Sequence, residues 1–134
     1  MNVVKRAIAT LLCWAGCLGP LSAQEPPARL TSLISVIASP NSYDGRRIRL
    51  IGYLANNGLD KTFGIYVTEI DGRNFLIANS VSLHVNSDNV EKMVGKYVIV
   101  EGVFRARKGR VADYLSGYLD VSSIKLWMQG DVSK

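Results

Sequence analysis

The sequence predicts an all-β domain with one or two short helices, built as a five-stranded Greek-key barrel. Three observations predict it. Apolar and polar residues alternate in five separate stretches, the pattern of strands with one face in a core. Glycines fall inside three of those stretches, at Gly52, Gly102 and Gly117, where strands of a small closed sheet must bend. A short segment of helical spacing interrupts the strands after the third of them.

The chain has 134 residues, a length suited to one domain, and 48% of them are apolar, enough for a core. Lys5 and Arg6 precede an apolar run from Ala7 to Leu18, Gly19-Pro20 breaks it, and Ala23 offers a cleavage point before Gln24. Residues 1–23 therefore read as a secretory signal peptide, and the run is short for a membrane span. Trp14-Ala15-Gly16-Cys17 also resembles a bacterial lipoprotein box, with Trp14 where Leu or Val is usual. The alternatives are a soluble periplasmic or secreted protein and one lipid-anchored at Cys17, the only route to a membrane. Either way the folded domain has no disulfide. Without Lys5 and Arg6, 14 basic side chains face 11 acidic ones. That mild excess suits anionic surfaces slightly better than cationic ones.

Residues 24–29, with Pro26-Pro27, read as an extended linker, and residues 30–127 as the domain. Leu30, Leu33, Ile34 and Ile37 recur at helical spacing, so a short amphipathic helix is expected over Thr31–Ala38, ended by Pro40 and plugging one end of the barrel. Tyr43-Asp44-Gly45 is a turn. The first strand follows, with Ile48, Leu50, Gly52 and Leu54 on one face and Arg49 and Tyr53 on the other. Asn56 to Lys61 is a loop. The second strand spans Thr62–Thr68, with Tyr66 opposite Phe63, Ile65 and Val67. Asp71-Gly72 is a hairpin signal, which places the third strand at Arg73–Asn79 and leaves Val81, Leu83 and Val85 as an extension or a further short strand. A brief helix is expected from Ser87 to Gly95. The fourth strand covers Lys96–Ala106, the fifth runs from Ala112 to Trp127, and residues 128–134 form a polar tail.

Three strands, a short helix and two strands is the order of the OB-fold. The stretches Pro40-x-x-Tyr43-Asp44-Gly45-x-x-Ile48-x-Leu50-x-Gly52, Gly95-Lys96-Tyr97-Val98-x-Val100-Glu101-Gly102-x-Phe104 and Leu115-Ser116-Gly117-Tyr118-Leu119, with Asn79 between them, resemble a group of small exported bacterial OB-fold proteins of largely unknown function. The matching residues are turns, bends and core strands. The resemblance implies a fold and a compartment rather than an activity.

No chemistry of catalysis stands out. His84 is the single histidine and reads as a surface or edge residue. One histidine without cysteine lacks the usual zinc ligand set, and no nucleophile with a base and an orienting acid can be nominated. Neither an enzyme nor a metal or other cofactor is expected, and the nucleotide-binding glycine patterns are absent. The histidine-bearing attachment segment of the periplasmic haem chaperones of OB-fold type has no counterpart here.

The functional expectation is a non-enzymatic periplasmic binding module for an envelope component, a protein or an anionic ligand. Arg105, Arg107, Lys108 and Arg110 crowd the last inter-strand loop. In OB-folds that loop and the one after the first strand flank the binding face. Arg49, Tyr53 and Tyr66 are placed beside it, rings for stacking next to cations for attraction. Two alternatives are carried: single-stranded nucleic-acid binding, which export disfavours, and a small-ligand or metal carrier centred on His84. The same cations on a hairpin tip also serve solubility alone.

Overall fold

The computed structural model describes residues 24–57, 62–86, 88–109 and 115–128. The expected leader at 1–23 and all of the polar tail beyond Met128 lie outside them. Six strands are seen: β1 (Arg29–Leu30), β2 (Arg47–Asn56), β3 (Phe63–Tyr66), β4 (Ser80–His84), β5 (Tyr97–Ala106) and β6 (Gly117–Leu126). Helix α1 (Leu33–Ala38) precedes β2, and helix α2 (Glu69–Arg73) joins β3 to β4. Neighbouring strands run in the order β1-β2-β3-β4-β6-β5, and β5 pairs back onto β2. The sheet thus closes into a five-stranded barrel with β1 added outside it. β4 pairs with β6 in parallel, and the other barrel pairs are antiparallel. This is an OB-fold.

The interior follows the alternation. Ile48, Leu50, Leu54, Ile65, Val81, Leu83, Val98, Val100, Phe104 and Leu119 form the barrel core, with Leu33 and Val36 of α1 closing one end. The helix starts two residues later than its spacing predicts. Its buried stripe is therefore Leu33, Val36 and part of Ile37, while Leu30 lies in β1 and Ile34 is exposed.

β2 serves both sides of the barrel, pairing with β5 over 47–53 and with β3 over 53–56. Gly52 stands where the two pairings meet. A β-carbon there would lie 2.9 Å from the carbonyl oxygen of Tyr66 and 3.1 Å from Ile65 Cβ. The glycine is needed for close approach, and its φ is not among the positive ones. The entry turn is fastened to the end of β5. Gly45 N–H donates to Phe104 O at 2.8 Å, Phe104 N–H to Arg46 O at 2.9 Å, and Ala106 N–H to Asp44 Oδ1 at 3.0 Å.

Three expectations are corrected. Asp71-Gly72 does not turn a hairpin, because Thr68 and Asp71 close a capping box that starts α2 instead. Arg73–Asn79 is consequently no strand. It leaves α2 through Phe75 at φ 53° and a 3-10 turn at Ile77–Asn79, and the third barrel strand is β4. The helix expected before Gly95 is a single 3-10 turn, Glu91–Met93, with Val90 buried beneath it.

Candidate binding surface

Alternation alone turns Tyr53 and Tyr66 away from the barrel core, and both side chains do leave it. They do not reach solvent. Tyr53, Ala55 and Tyr66 form a second, smaller apolar cluster on the outer wall, with Tyr66 fully buried. α2 lies over them. A β-carbon on Gly72 would stand 2.7 Å from Tyr53 Cδ1 and 3.3 Å from Ala55 Cβ, so the missing side chain is what lets the helix settle. The expected stacking platform is therefore corrected. The outer face that OB-folds use for ligands is covered here by the chain's own β3–β4 connection.

That cover is held by hydrogen bonds. Thr68 Oγ1 accepts from Asp71 N–H at 3.1 Å and donates to Asp71 Oδ2 at 2.7 Å, while Asn79 Nδ2 donates to Asp71 Oδ1 at 3.0 Å. Bonds from Thr68 and then Asn79 hold the Asp71 carboxyl below its ordinary range. Beneath the helix, Tyr66 OH donates to Asn57 Oδ1 at 2.7 Å, and Asn57 Nδ2 donates to Ser82 Oγ at 3.2 Å. Burial pushes the Tyr66 phenol up, partly offset by Ser80.

Arg49 has a structural partner. It sits directly across from Glu101 in the β2–β5 register. Its Nη2 and Nε donate to Glu101 Oε2 at 2.9 and 3.3 Å, and Arg47 Nη2 and Nε donate to Oε1 at 2.8 and 3.0 Å. The carboxylate is gripped on both oxygens. Arg49 first, then Arg47, keeps its pKa low.

The basic loop divides. Arg105 is exposed at the end of β5, its Nε 3.7 Å from Asp120 Oδ2. Lys108 is exposed, with Gly109 next to it at φ 85°. Arg107 is half-buried. Its N–H donates to Ser116 O at 3.2 Å, and its Nε is buried without a partner among the described residues. Arg110 lies outside the described residues.

Beside Arg105 is a pair the sequence reading missed. The rings of His84 and Tyr118 stack with centroids 4.1 Å apart and planes 23° from parallel. His84 Nδ1 lies 3.4 Å from Asp120 Oδ1, so one carboxylate touches both His84 and Arg105. The parallel β4–β6 register, Ser82 opposite Tyr118 and His84 opposite Asp120, brings them together. That pairing follows from the OB strand order, which is the signal by which they were findable.

No family model and no curated protein matches this chain. Solved structures do, at low identity. The telomere capping protein Ten1 from Saccharomyces pombe is similar over 79% of this chain and 87% of its own, with 18% identity and a TM-score of 0.49. The hypothetical protein ygiW from E. coli is similar over 76% and 94%, with 13% identity and a TM-score of 0.49. Replication protein A of U. maydis, solved bound to single-stranded DNA, is similar over 82% of each chain, with 19% identity and a TM-score of 0.44.

Chemically, the surface at Arg105 offers a stacked ring pair, the Arg105 guanidinium and one carboxylate, with exposed Lys108 three residues further along the chain. The Arg105–Asp120 contact is long and solvent-exposed, of the kind worth about 0–1 kcal/mol, so a ligand anion competes with it easily. Among the described residues no group of three or more His, Cys, Asp or Glu is placed to hold a metal ion, and no helix is long and apolar enough to cross a membrane.

Proposed function

We propose that this OB-fold domain is exported and acts as a non-enzymatic binding module for an anionic envelope component, taken on the surface formed by Arg105, Lys108, His84 and Tyr118. The observation that carries this reading is the stack of exposed His84 on half-buried Tyr118, 4.1 Å between centroids, with Asp120 bridging His84 to Arg105, three residues before Lys108. Ring faces supply contact area and cations supply attraction, a pairing suited to a negatively charged partner with a flat or ring-bearing portion. The leader expected at residues 1–23 supports an envelope partner. The mass of the mature N-terminus tests that part: Gln24 means soluble export, and an acylated Cys17 means an anchor.

Single-stranded nucleic acid is the competing ligand. The burial of Tyr53 and Tyr66 under α2 counts against it, since both rings lie on the wall such ligands use. A pull-down from envelope extract, run with wild type and with Arg105→Ala/Lys108→Ala, tests the proposal. Partners retained by wild type and lost by the double variant support it, and equal retention overturns it. A mobility shift with single-stranded DNA that weakens steeply with salt would move the function to nucleic acid.

A further inference from the structure

Where β1 meets the entry to β2, a hollow of about 390 Å3 is lined by Arg29, Arg46 and Arg47 together with Ser32, Ser42 and Tyr43. Three arginines and, with Thr31, four hydroxyl-bearing residues line one space. Arg47 is held from behind by Glu101, at 2.8 and 3.0 Å. Arg29 and Arg46 have no ion pair among the described residues. Asp44, in the same turn, does not line the hollow, because its carboxylate accepts from Ala106 N–H.

We propose that this hollow is a phosphate site, and that Glu25 is its built-in competitor. Of the three arginines that line the hollow, Arg47 is ion-paired, with Glu25 and Glu101, which leaves the positive charges of Arg29 and Arg46 as the complement of a phosphate monoester dianion. Guanidinium forks suit a phosphate because two parallel N–H groups meet two oxygens, and neighbouring hydroxyls supply further donors. The hollow has room for an organic group attached to that phosphate. Glu25, on the proline-rich segment before β1, already places a carboxylate on Arg47 Nη1. It reaches Arg47 from a second hollow, shared with Pro26, Pro27 and Gly45. A phosphate in the first hollow competes with that carboxylate for the Arg47 guanidinium. Arg105 does not line the hollow, although its guanidinium comes up to Gly45 in the neighbouring turn.

The test is calorimetric titration of inorganic phosphate into the full chain at low ionic strength, beside a soluble phosphomonoester and vesicles containing phosphatidic acid. Saturable binding is expected. It should weaken by about tenfold or more in Arg46→Ala, the loss of a charge-assisted contact, and tighten severalfold in Glu25→Gln. Lys92→Ala, which removes an exposed cation from the 3-10 turn Glu91–Met93, should bind phosphate as wild type does, which separates this site from a general attraction of anions to the basic surface. Binding of the vesicles alone, lost in Arg46→Ala, would identify a lipid as the phosphate's source. Arg29→Ala repeats the test if Arg46→Ala melts abnormally. No saturable binding of any of the three probes overturns the site, as does Arg46→Ala binding like wild type or Lys92→Ala losing as much as Arg46→Ala.

Discussion

Gly72 and Tyr53 are in contact across the outside of the barrel: a β-carbon on the glycine would come within 2.7 Å of the tyrosine's Cδ1. Gly72→Val must push α2 off the wall or displace the ring. Overpacking of this kind costs about 1–3 kcal/mol. Urea unfolding should read that loss, and near-ultraviolet circular dichroism should show Tyr53 released from its packed environment. An unchanged midpoint would mean that α2 does not seal this face.

Gly52 meets backbone first, with the side chains of Ile65 and Leu33 at 3.1 Å. The atom in the way is the Tyr66 carbonyl oxygen, which is tied into the sheet. Gly52→Ala should cost about 1–3 kcal/mol and Gly52→Val more, enough to abolish folding in a domain of ordinary stability. Thermal melts of the two variants in that order check it.

Tyr66→Phe separates structure from binding. The variant keeps the ring and removes the hydrogen bond to Asn57, leaving the Oδ1 of half-buried Asn57 short of a donor. The expected cost is about 1 kcal/mol, with no change in ligand retention. A loss of binding at full stability would restore Tyr66 to the functional surface.

Acid should destabilise the fold through two carboxylates. Asp71 and Glu101 both have folded pKa values below their ordinary 3.8 and 4.5. Such groups bind fewer protons folded than unfolded, so their contribution is whole above the ordinary values and is lost as pH falls through the lower, folded ones. Stability should be level above about pH 5 and decline below it. Asp71→Asn and Glu101→Gln should each lower stability at neutral pH and flatten the acid limb. A limb as steep in the double variant would assign it to other groups.

Much of the barrel was legible because its strands are long and one-sided. In β2 and β5, Ile48, Leu50, Val98, Val100 and Phe104 keep strict alternation, and a special role for the glycine at 52 followed from its position in a strand. The β3–β4 connection was misread because two local signals overlap on Asp71. Asp71-Gly72 is a hairpin dipeptide, and Thr68-x-x-Asp71 is a helix start; the side-chain bonds from Thr68 and Asn79 decide for the helix. The fate of Tyr53 and Tyr66 was not legible at all. Alternation tells which way a side chain points, and it is silent on what another segment lays over it. The ion pair of Arg49 was not legible for the same reason, since its partner Glu101 stands more than fifty residues away and is found only through register.

The two-residue strand β1 has a further consequence. β3 pairs with β2 only from Tyr53 onward, so the start of β2 would otherwise present bare N–H and C=O groups on that side. β1 lies along it in parallel, Arg29 opposite Ile48 and Leu30 opposite Arg49, and Thr31 N–H donates to Arg49 O at 2.9 Å. Pro26-Pro27 just upstream cannot donate and so cannot prolong that ladder. This short segment acts as a guard rail against edge-to-edge stacking of one barrel on the next. A chain trimmed back to Ser32 would keep its core residues and still be at risk of self-association.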